Sequence, residues 1–449
     1  MVDSYASGNA LTGRRVAVIG GGWAGLSAAT HLIELGLNVT LFERSRILGG
    51  RSTSFWENNF GEWLDHGPHL FIGAYREALG LLDRWGTLQY IDFSRGDEIP
   101  WLMSDGRKHG FSLANSLVGS LSAIAHFDAL SISEKILLSR ALGKLRSYGL
   151  GKREKEKTLK ELLSEVGVKE GRVAEFFQTL CLAAMNAPVE LAAAYPLANA
   201  LREGLVGAQK NGAIGVPRRA LKEIVGDAAE KYLTANRANI VQGQDVSGIE
   251  AKNERWQVRT SSEEFTFDGI IIAVQPKDLS RLLPESRFGN IFSFNREIFQ
   301  YSPIVGIHCM FNAPVLDMPF AHLHGGKAHW VFGRGDAENG GFRRISFVIS
   351  HAVEEQACLS EESALSIVED LQRRLPAKKS AKLIKHRYIR TARATVLLTP
   401  EVERVRPDNR TSLPGLFLAG DWLNTGLPAT IESAARSGRS AAEQLAGDL

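Results

Sequence analysis

Gly20, Gly22 and Gly25 follow the apolar run Val16–Ile19, and Glu43 ends the next apolar run, Asn38-Val-Thr-Leu-Phe-Glu43. Residues of these types at this spacing can hold two phosphates and a ribose. Glycine puts no Cβ in the way, so main-chain N–H groups of the turn can approach a pyrophosphate, and the helix that follows directs its positive end at the same place. Glu43, eighteen residues beyond Gly25, offers a carboxylate that accepts from both hydroxyls of an adenosine ribose and repels a 2′-phosphate. The expected contacts fall on Gly20, Gly22, Trp23, Ala24 and Gly25 around the turn, and on Glu43 and Arg44 at the strand end. This pattern argues for FAD or NAD over NADP.

The segment that comes next favours FAD. Ile47-Leu-Gly49-Gly50-Arg51 continues beside the expected cofactor, where a simple dehydrogenase would return to its sheet, and Gly50 and Arg51 join the expected contacts. Arg51 can pair with phosphate or with reduced flavin; an ordinary glycine turn with a surface arginine is the plain alternative. Near the other end of the chain, Leu413-Pro-Gly-Leu-Phe-Leu-Ala-Gly420-Asp421-Trp422 reads as a turn, a short strand and an acid at its carboxyl end, where ligands sit in open parallel sheets. Leu427, Pro428, Ala429 and Ile431 follow. Pro428 suits the first turn of a helix. Small residues at Ala429, Ser433, Ser437 and Gly438 give a smooth face able to lie close to something flat. The N–H groups at that helix start would stabilise negative charge on a reduced isoalloxazine, with Asp421 on ribityl or phosphate-side groups; a helix packed on a sheet for stability alone is the other reading.

These motifs resemble a known family. Gly49-Gly50-Arg51 is similar to the pattern that lies against the cofactor in the amine oxidase and phytoene desaturase superfamily. Asp65-His-Gly-Pro-His-Leu-Phe-Ile-Gly-Ala-Tyr75, His329-Trp-Val-Phe-Gly-Arg334-Gly, Thr399-Pro with Glu403-Arg-Val-Arg-Pro407, and Gly420-Asp-Trp-Leu-Asn-Thr-Gly-Leu-Pro-Ala-Thr-Ile-Glu-Ser-Ala-Ala-Arg-Ser-Gly-Arg439 resemble the hydroxysqualene dehydroxylases, over nearly the whole chain. Where that family usually reads Asp-Asn-Gly-Gln-His, this chain has Asp65-His66-Gly67-Pro68-His69. The resemblance implies FAD, with Gly67, Pro68 and His69 against it and Val246 giving a main-chain contact to adenine. It implies reductive removal of the hydroxyl of hydroxysqualene, a long-chain isoprenoid, with an unidentified electron donor. His66 and His69, with Tyr75 behind them, are the proton donors it suggests; cofactor packing is the other reading of these three. A carotenoid-type desaturase running hydride transfer the other way, a flavin amine oxidase, and a non-catalytic flavin or lipid carrier stay open.

Composition bounds the rest. The chain has 449 residues, 44% of them hydrophobic, and a net charge of +3, enough for two cores and too little field for nucleic acid. Cys181, Cys309 and Cys358 are scattered, with no C-x-x-C, as in a reducing compartment. No signal core or spanning run is evident, so the expectation is a cytoplasmic protein, peripheral at the inner face of the cell membrane. The fold class expected is α/β: a Rossmann-like FAD-binding domain from residues 1–80, 211–285 and 385–449, interleaved with an α+β substrate domain from 81–210, largely helical, and 286–384. Eleven aromatics between Phe288 and Phe347 suit either a long apolar pocket or a core under a sheet. Residues 110–127 form an uncharged stretch for a pocket-lining or an interfacial helix. His308, His322, His324 and His329 are close in sequence, but no carboxylate or cysteine stands at metal-site spacing, so no metal is expected.

Overall fold

Five parallel strands form the central sheet in the order 239–242, 38–43, 15–19, 269–272, 416–418. The computed structural model describes residues 13–93, 98–112, 117–150, 157–205, 212–284, 296–353, 361–378 and 380–449. Arg15–Ile19 lies in the middle of the sheet, with Val16 opposite Val39 on one side and Gly269 on the other. Its apolar run is continuous rather than alternating because both faces are covered. One face, with Val16, Val18, Ile271 and Phe417, packs on helices Trp23–Glu34 and Ile431–Asp448 through Leu26, Ala29, Leu32, Ala435 and Leu445. The other, with Ala17, Ile19, Phe42 and Ile270, packs on Trp256, Val258 and Phe267 of a three-stranded antiparallel layer. The α/β expectation holds.

A seven-stranded sheet forms the second layer system, in the order 383–396, 301–311, 344–349, 330–333, 320–323, 98–102, 108–112. All its pairings are antiparallel except that of Phe320–Leu323 with Glu98–Leu102. Strand alternation sends Val305, Ile307, Cys309 and Phe347 to one face, where they meet Ile367, Val368 and Leu371 of helix Glu361–Arg374. Phe320, Trp330, Phe332 and Val348 point the other way, toward Ile214, Val216 and Leu70. Of the eleven aromatics, Phe288, Phe292 and Phe294 lie outside the described residues; Phe311 and Phe347 belong to the helix-side core, and only Phe320, Trp330 and Phe332 make the opposite apolar face.

Some expected edges fall inside continuous elements. Helix Arg76–Arg84 crosses 80/81 and strand Leu383–Val396 crosses 384/385, the latter pairing with Tyr301–Phe311. Glu98–Leu102 and Lys108–Ser112 are strands inside the segment expected to be largely helical. Within 110–127 the helix is Leu117–His126, and positions 113–116 lie outside the described residues. Among the described residues no helix is long and apolar enough to cross a membrane.

The small face of the last helix has a definite neighbour. A Cβ on Gly438 would stand 2.1 Å from the Ala24 carbonyl oxygen, and Ser27 Oγ donates to the Ala435 carbonyl at 2.7 Å. Gly438 is therefore small so that the last helix can touch the first, while Ser437 Oγ accepts from Gly420 N at 2.9 Å. Gly438→Ala should cost about 1–3 kcal/mol by overpacking, read as a lower midpoint of thermal unfolding. Gly447→Ala, where a Cβ meets nothing within 4 Å, should leave the midpoint unchanged or slightly raised.

Candidate active site

The glycine turn is built by exclusion. Gly20 has φ +111°, and a Cβ there would come 2.5 Å from the Ala273 carbonyl oxygen; on Gly25 it would come 1.8 Å from the carbonyl oxygen of Gly20. Helix Trp23–Glu34 starts at Gly22 with no side-chain cap and no acid in its first turn, whereas the helices after Ser131 and Thr158 carry full capping boxes. The first-turn N–H groups are thus left for an external anion, and the turn fits a pyrophosphate. Gly49 N donates to Gly21 O at 2.8 Å, and a Cβ on Gly50 would lie 3.0 Å from Gly22 Cα, so Gly50 and Arg51 sit directly over the turn. Glu43 accepts from Gly21 N at 2.6 Å and from Ser45 N at 2.8 Å, one bond on each oxygen; each oxygen keeps a lone pair for a ribose hydroxyl. Gly21, absent from the expected contacts, has no room for a side chain either: a Cβ would come 2.7 Å from Leu48 Cδ2.

The expected residues diverge elsewhere. The Trp23 indole packs inward on Phe71 and Trp85, so only its main chain faces the turn. Arg44 is exposed and reaches Asp278 at 3.9 Å. The Val246 carbonyl accepts from Arg281.

Arg51 joins the two ends of the chain. Its guanidinium donates to Asp421 Oδ1 at 2.7 Å and to the Ala394 carbonyl at 3.0 Å. Burial disfavours its charge, but Asp421 outweighs burial and holds the pKa above the ordinary value. Asp421 opens a loop whose shape depends on Arg406, a residue the expected site did not include. The side chains of Arg406 and Glu403 are fully buried and paired at 2.9 Å. Arg406 also donates to the carbonyls of Asp421, Trp422, Leu423 and Leu427. Pro428 lies in this loop rather than in a helical turn: the helix begins at Ile431, capped by the Thr430 hydroxyl, which accepts from Ser433 N. Leu427 and Pro428 are buried in the loop, and Ala429 and Ile431 are half-buried at its exit.

Residues 65–70 are each half-buried and belong to no strand beyond Asp65. Antiparallel pairing of Phe71–Ile72 with Ile214–Gly215 holds one end of this loop, and His308 holds the other. His308 Nε2 lies 2.9 Å from the Asp65 carbonyl, which can only accept, so Nε2 carries the proton and Nδ1 accepts from Ser346 Oγ at 2.7 Å. Burial pushes the His308 pKa down to about 3, keeping it neutral. The same argument puts the His69 proton on Nδ1, facing the Gly67 carbonyl at 2.8 Å, with Ser52 Oγ at 3.3 Å from Nε2. His66 stacks obliquely on Phe55, centroids 5.4 Å apart, and its ring nitrogens have no hydrogen-bond partner among the described residues. Burial lowers the pKa of both His66 and His69. Tyr75 bonds with Thr430; burial first, then Glu432, push it up to about 12. The loop therefore leaves His66 as the imidazole with open nitrogens.

His322 and His329 are structural. The His322 ring nitrogens meet the His329 carbonyl and Thr179 Oγ1, and His329 Nδ1 accepts from Ser350 N. Among the described residues, no three His, Cys, Asp or Glu side chains are grouped to hold a metal ion. Cys181 and Cys309 are buried free thiols, and Cys358 lies outside the described residues.

Two tests follow from this geometry. Arg406→Met should cost about 3–5 kcal/mol because it strands the Glu403 charge, and Arg406→Met with Glu403→Met should recover much of that loss; urea unfolding measures both. Burial raises the Asp65 pKa to about 6, against the bonds from Ser54 and Leu221. Raised in the folded state, this group favours folding below pH 4 and loses that contribution as pH climbs through 6. Asp65→Asn, keeping the oxygen that accepts from Leu221 N, should flatten the pH dependence of unfolding between pH 4 and 6. Its relative gain at pH 7 should reach up to about 3 kcal/mol.

Comparison with known proteins gives this geometry a context. The sequence profile of the flavin containing amine oxidoreductases matches residues 23–446. The hydroxysqualene dehydroxylase of Zymomonas mobilis subsp. mobilis is 28% identical over 446 residues, 95% of this chain and 97% of that protein. The 15-cis-phytoene desaturase of Synechococcus elongatus is 24% identical, covering 96% of this chain and 95% of its own. Among solved structures, an oxidoreductase from Methanosarcina mazei superposes with TM-score 0.69 at 17% identity, covering 96% of this chain and all of its own, which speaks to the fold alone. The match over almost the whole length means that this chain belongs to the flavin containing amine oxidoreductase family and works as a flavin-dependent oxidoreductase.

Proposed function

We propose that the protein binds FAD across the glycine turn and reductively removes the hydroxyl of hydroxysqualene to give squalene. The observation that carries this reading is the full-length similarity to a hydroxysqualene dehydroxylase. When bound, FAD supplies the hydride. First-turn N–H groups of Trp23 and Ala24 would take the pyrophosphate, Glu43 the ribose hydroxyls, and Arg51 with Asp421 the phosphate and ribityl side. Gly67, Pro68 and His69 would pack on the ring, with Val246 at adenine. His66 would give a proton to the allylic hydroxyl, which then leaves as water. His69 and Tyr75, both engaged, hold the wall.

On this reading the cofactor body comprises roughly 1–80, 211–285 and 385–449, with its edges moved to the ends of helix Arg76–Arg84 and strand Leu383–Val396, and the remainder forms the substrate body. A lipid-soluble substrate calls for contact with the inner face of the cell membrane. The exposed apolar side chains Leu121, Ile132 and Ile136, at 52%, 80% and 58% exposure, support that contact. The phytoene desaturase similarity supports a second reading, desaturation of an isoprenoid, for which the same residues would hold the flavin and the flavin would supply the oxidant.

Purified protein should release non-covalent FAD on denaturation, and Glu43→Ala should retain less FAD at limiting cofactor, losing about 1.5–3 kcal/mol per charged hydrogen bond. Chemically reduced protein given hydroxysqualene without oxygen should form squalene and regain the yellow flavin absorbance one for one. His66→Ala should slow this single turnover about 10²–10⁴-fold, and the wild-type rate should fall with rising pH as His66 loses its proton. Conjugated double bonds introduced into phytoene by the oxidised protein, without squalene formation, would establish the second reading instead.

A further inference from the structure

Replacing a hydroxyl by hydrogen takes two electrons and two protons and releases water, R–OH + 2 e⁻ + 2 H⁺ → R–H + H₂O. Each turnover therefore needs two electrons from outside the substrate. Strand Leu383–Val396 shows where they could enter. It forms the outer edge of the seven-stranded sheet, and its sequence LIKHRYIRTARATV carries Lys385, Arg387, Arg390 and Arg393 with no acid. All four are exposed. Edge strands commonly carry a charge or two against aggregation, but this chain has 53 basic and 50 acidic residues, so four cations without an acid on one strand is a local concentration. Among the described residues only Arg387 has an acidic partner, Glu57 at 3.2 Å. Lys385 donates to the Asn59 carbonyl, Arg393 lies over the Tyr301 ring at 5.8 Å, and Arg390 has no partner among the described residues. Exposed Lys277 adds to this field from the neighbouring helix, where its N–H reaches Tyr301 Oη at 3.5 Å.

The strand also runs directly to the cofactor residues. Ala394, next to Arg393, accepts from Arg51 Nη1 at 3.0 Å, and Arg51 holds Asp421. Arg393 is thus the chain neighbour of the residue whose carbonyl holds the Arg51–Asp421 pair. We propose that the exposed edge strand Leu383–Val396 is the docking surface of an acidic one-electron carrier protein, two molecules of which, each oxidised once, re-reduce the enzyme for every turnover. The surface suits a partner of opposite field, steered onto it and dependent on ionic strength. This proposal rests on the reductive reading for its need of a donor.

The test uses the FAD-loaded full chain and a reduced plant-type [2Fe–2S] ferredoxin as acidic probe. Flavin bleaching is followed in the absence of lipid substrate, and affinity is measured by titration with oxidised ferredoxin. The double variant Arg390→Glu/Arg393→Glu should lower the second-order rate at least tenfold and weaken binding to match. Its steep decline with added salt should vanish, and Arg390→Gln/Arg393→Gln should fall between. FAD content, thermal midpoint and light-driven reduction by deazaflavin with EDTA should stay at wild-type values. Three results would overturn the proposal: an unchanged rate in the reversed variant, faster reduction by NADH or NADPH than by ferredoxin, or loss of binding to anionic phosphatidylglycerol vesicles with the ferredoxin rate intact. Because no substrate is present, failure of reduced protein to convert hydroxysqualene would count against the dehydroxylase reading and leave the docking result standing.

Discussion

Everything around the cofactor side of this protein depends on one buried ion pair. Arg406 and Glu403 have no exposed side-chain surface, and a guanidinium in such a place is tolerated only when its donors are used. The four carbonyls of the 421–427 loop supply that use. The loop is therefore bent around a guanidinium rather than around a hydrophobic plug, and its shape sets three things together: the direction of Asp421 toward Arg51, the burial of Trp422 with its indole N–H on the Val274 carbonyl at 3.1 Å, and the start of the last helix. Glu432, one residue into that helix, then caps another element by accepting from Glu77 N and Ala78 N at the start of Arg76–Arg84. One arginine thus governs a chain of contacts from the sheet end to the segment that carries Tyr75.

The loop from Asp65 to Tyr75 links the two sheets. Its carbonyl at Asp65 is held by His308 of the seven-stranded sheet, its residues Phe71 and Ile72 pair with Ile214 and Gly215, and Tyr75 leans on Thr430 of the cofactor side. With the Arg51 bond to the Ala394 carbonyl, this loop is one of the contacts that tie the two sheets together. Neutral His308 suits the task, since a charged imidazole there would pull on the same carbonyl with a pH-dependent strength.

The glycine turn and Glu43 were legible in the sequence because steric exclusion leaves no other residue type workable there: a Cβ at Gly20 or Gly25 would overlap backbone atoms, so the pattern carries its reason with it. The α/β class was legible in the uninterrupted apolar strands. Arg406 was quoted only as part of a family-like run, since nothing in Glu403-Arg-Val-Arg-Pro407 announces that the second arginine points inward. His308 looked like any strand histidine until the Asp65 carbonyl stood opposite it, 243 residues away in sequence. The small residues of the last helix were legible as a close-contact surface, but at Gly438 the neighbour is the first helix, because small residues report distance and not identity. Pro428 fits a first helical turn equally well on paper; the Arg406 clamp, invisible locally, moves the helix start to Ile431.

The order of strands in the central sheet has a consequence for biosynthesis. Its middle strand, Arg15–Ile19, leaves the ribosome early, yet its neighbour Gly269–Ile272 and the edge strand Leu416–Leu418 arrive some 250 and 400 residues later. Until residues 416–448 emerge, the first helix lacks the surface that touches Gly438, and Arg76–Arg84 has no carboxylate at its amino end. The nascent chain therefore carries an uncovered, strongly apolar parallel strand through most of its synthesis, a condition that favours chaperone engagement and delays closure of the nucleotide fold until translation is nearly finished.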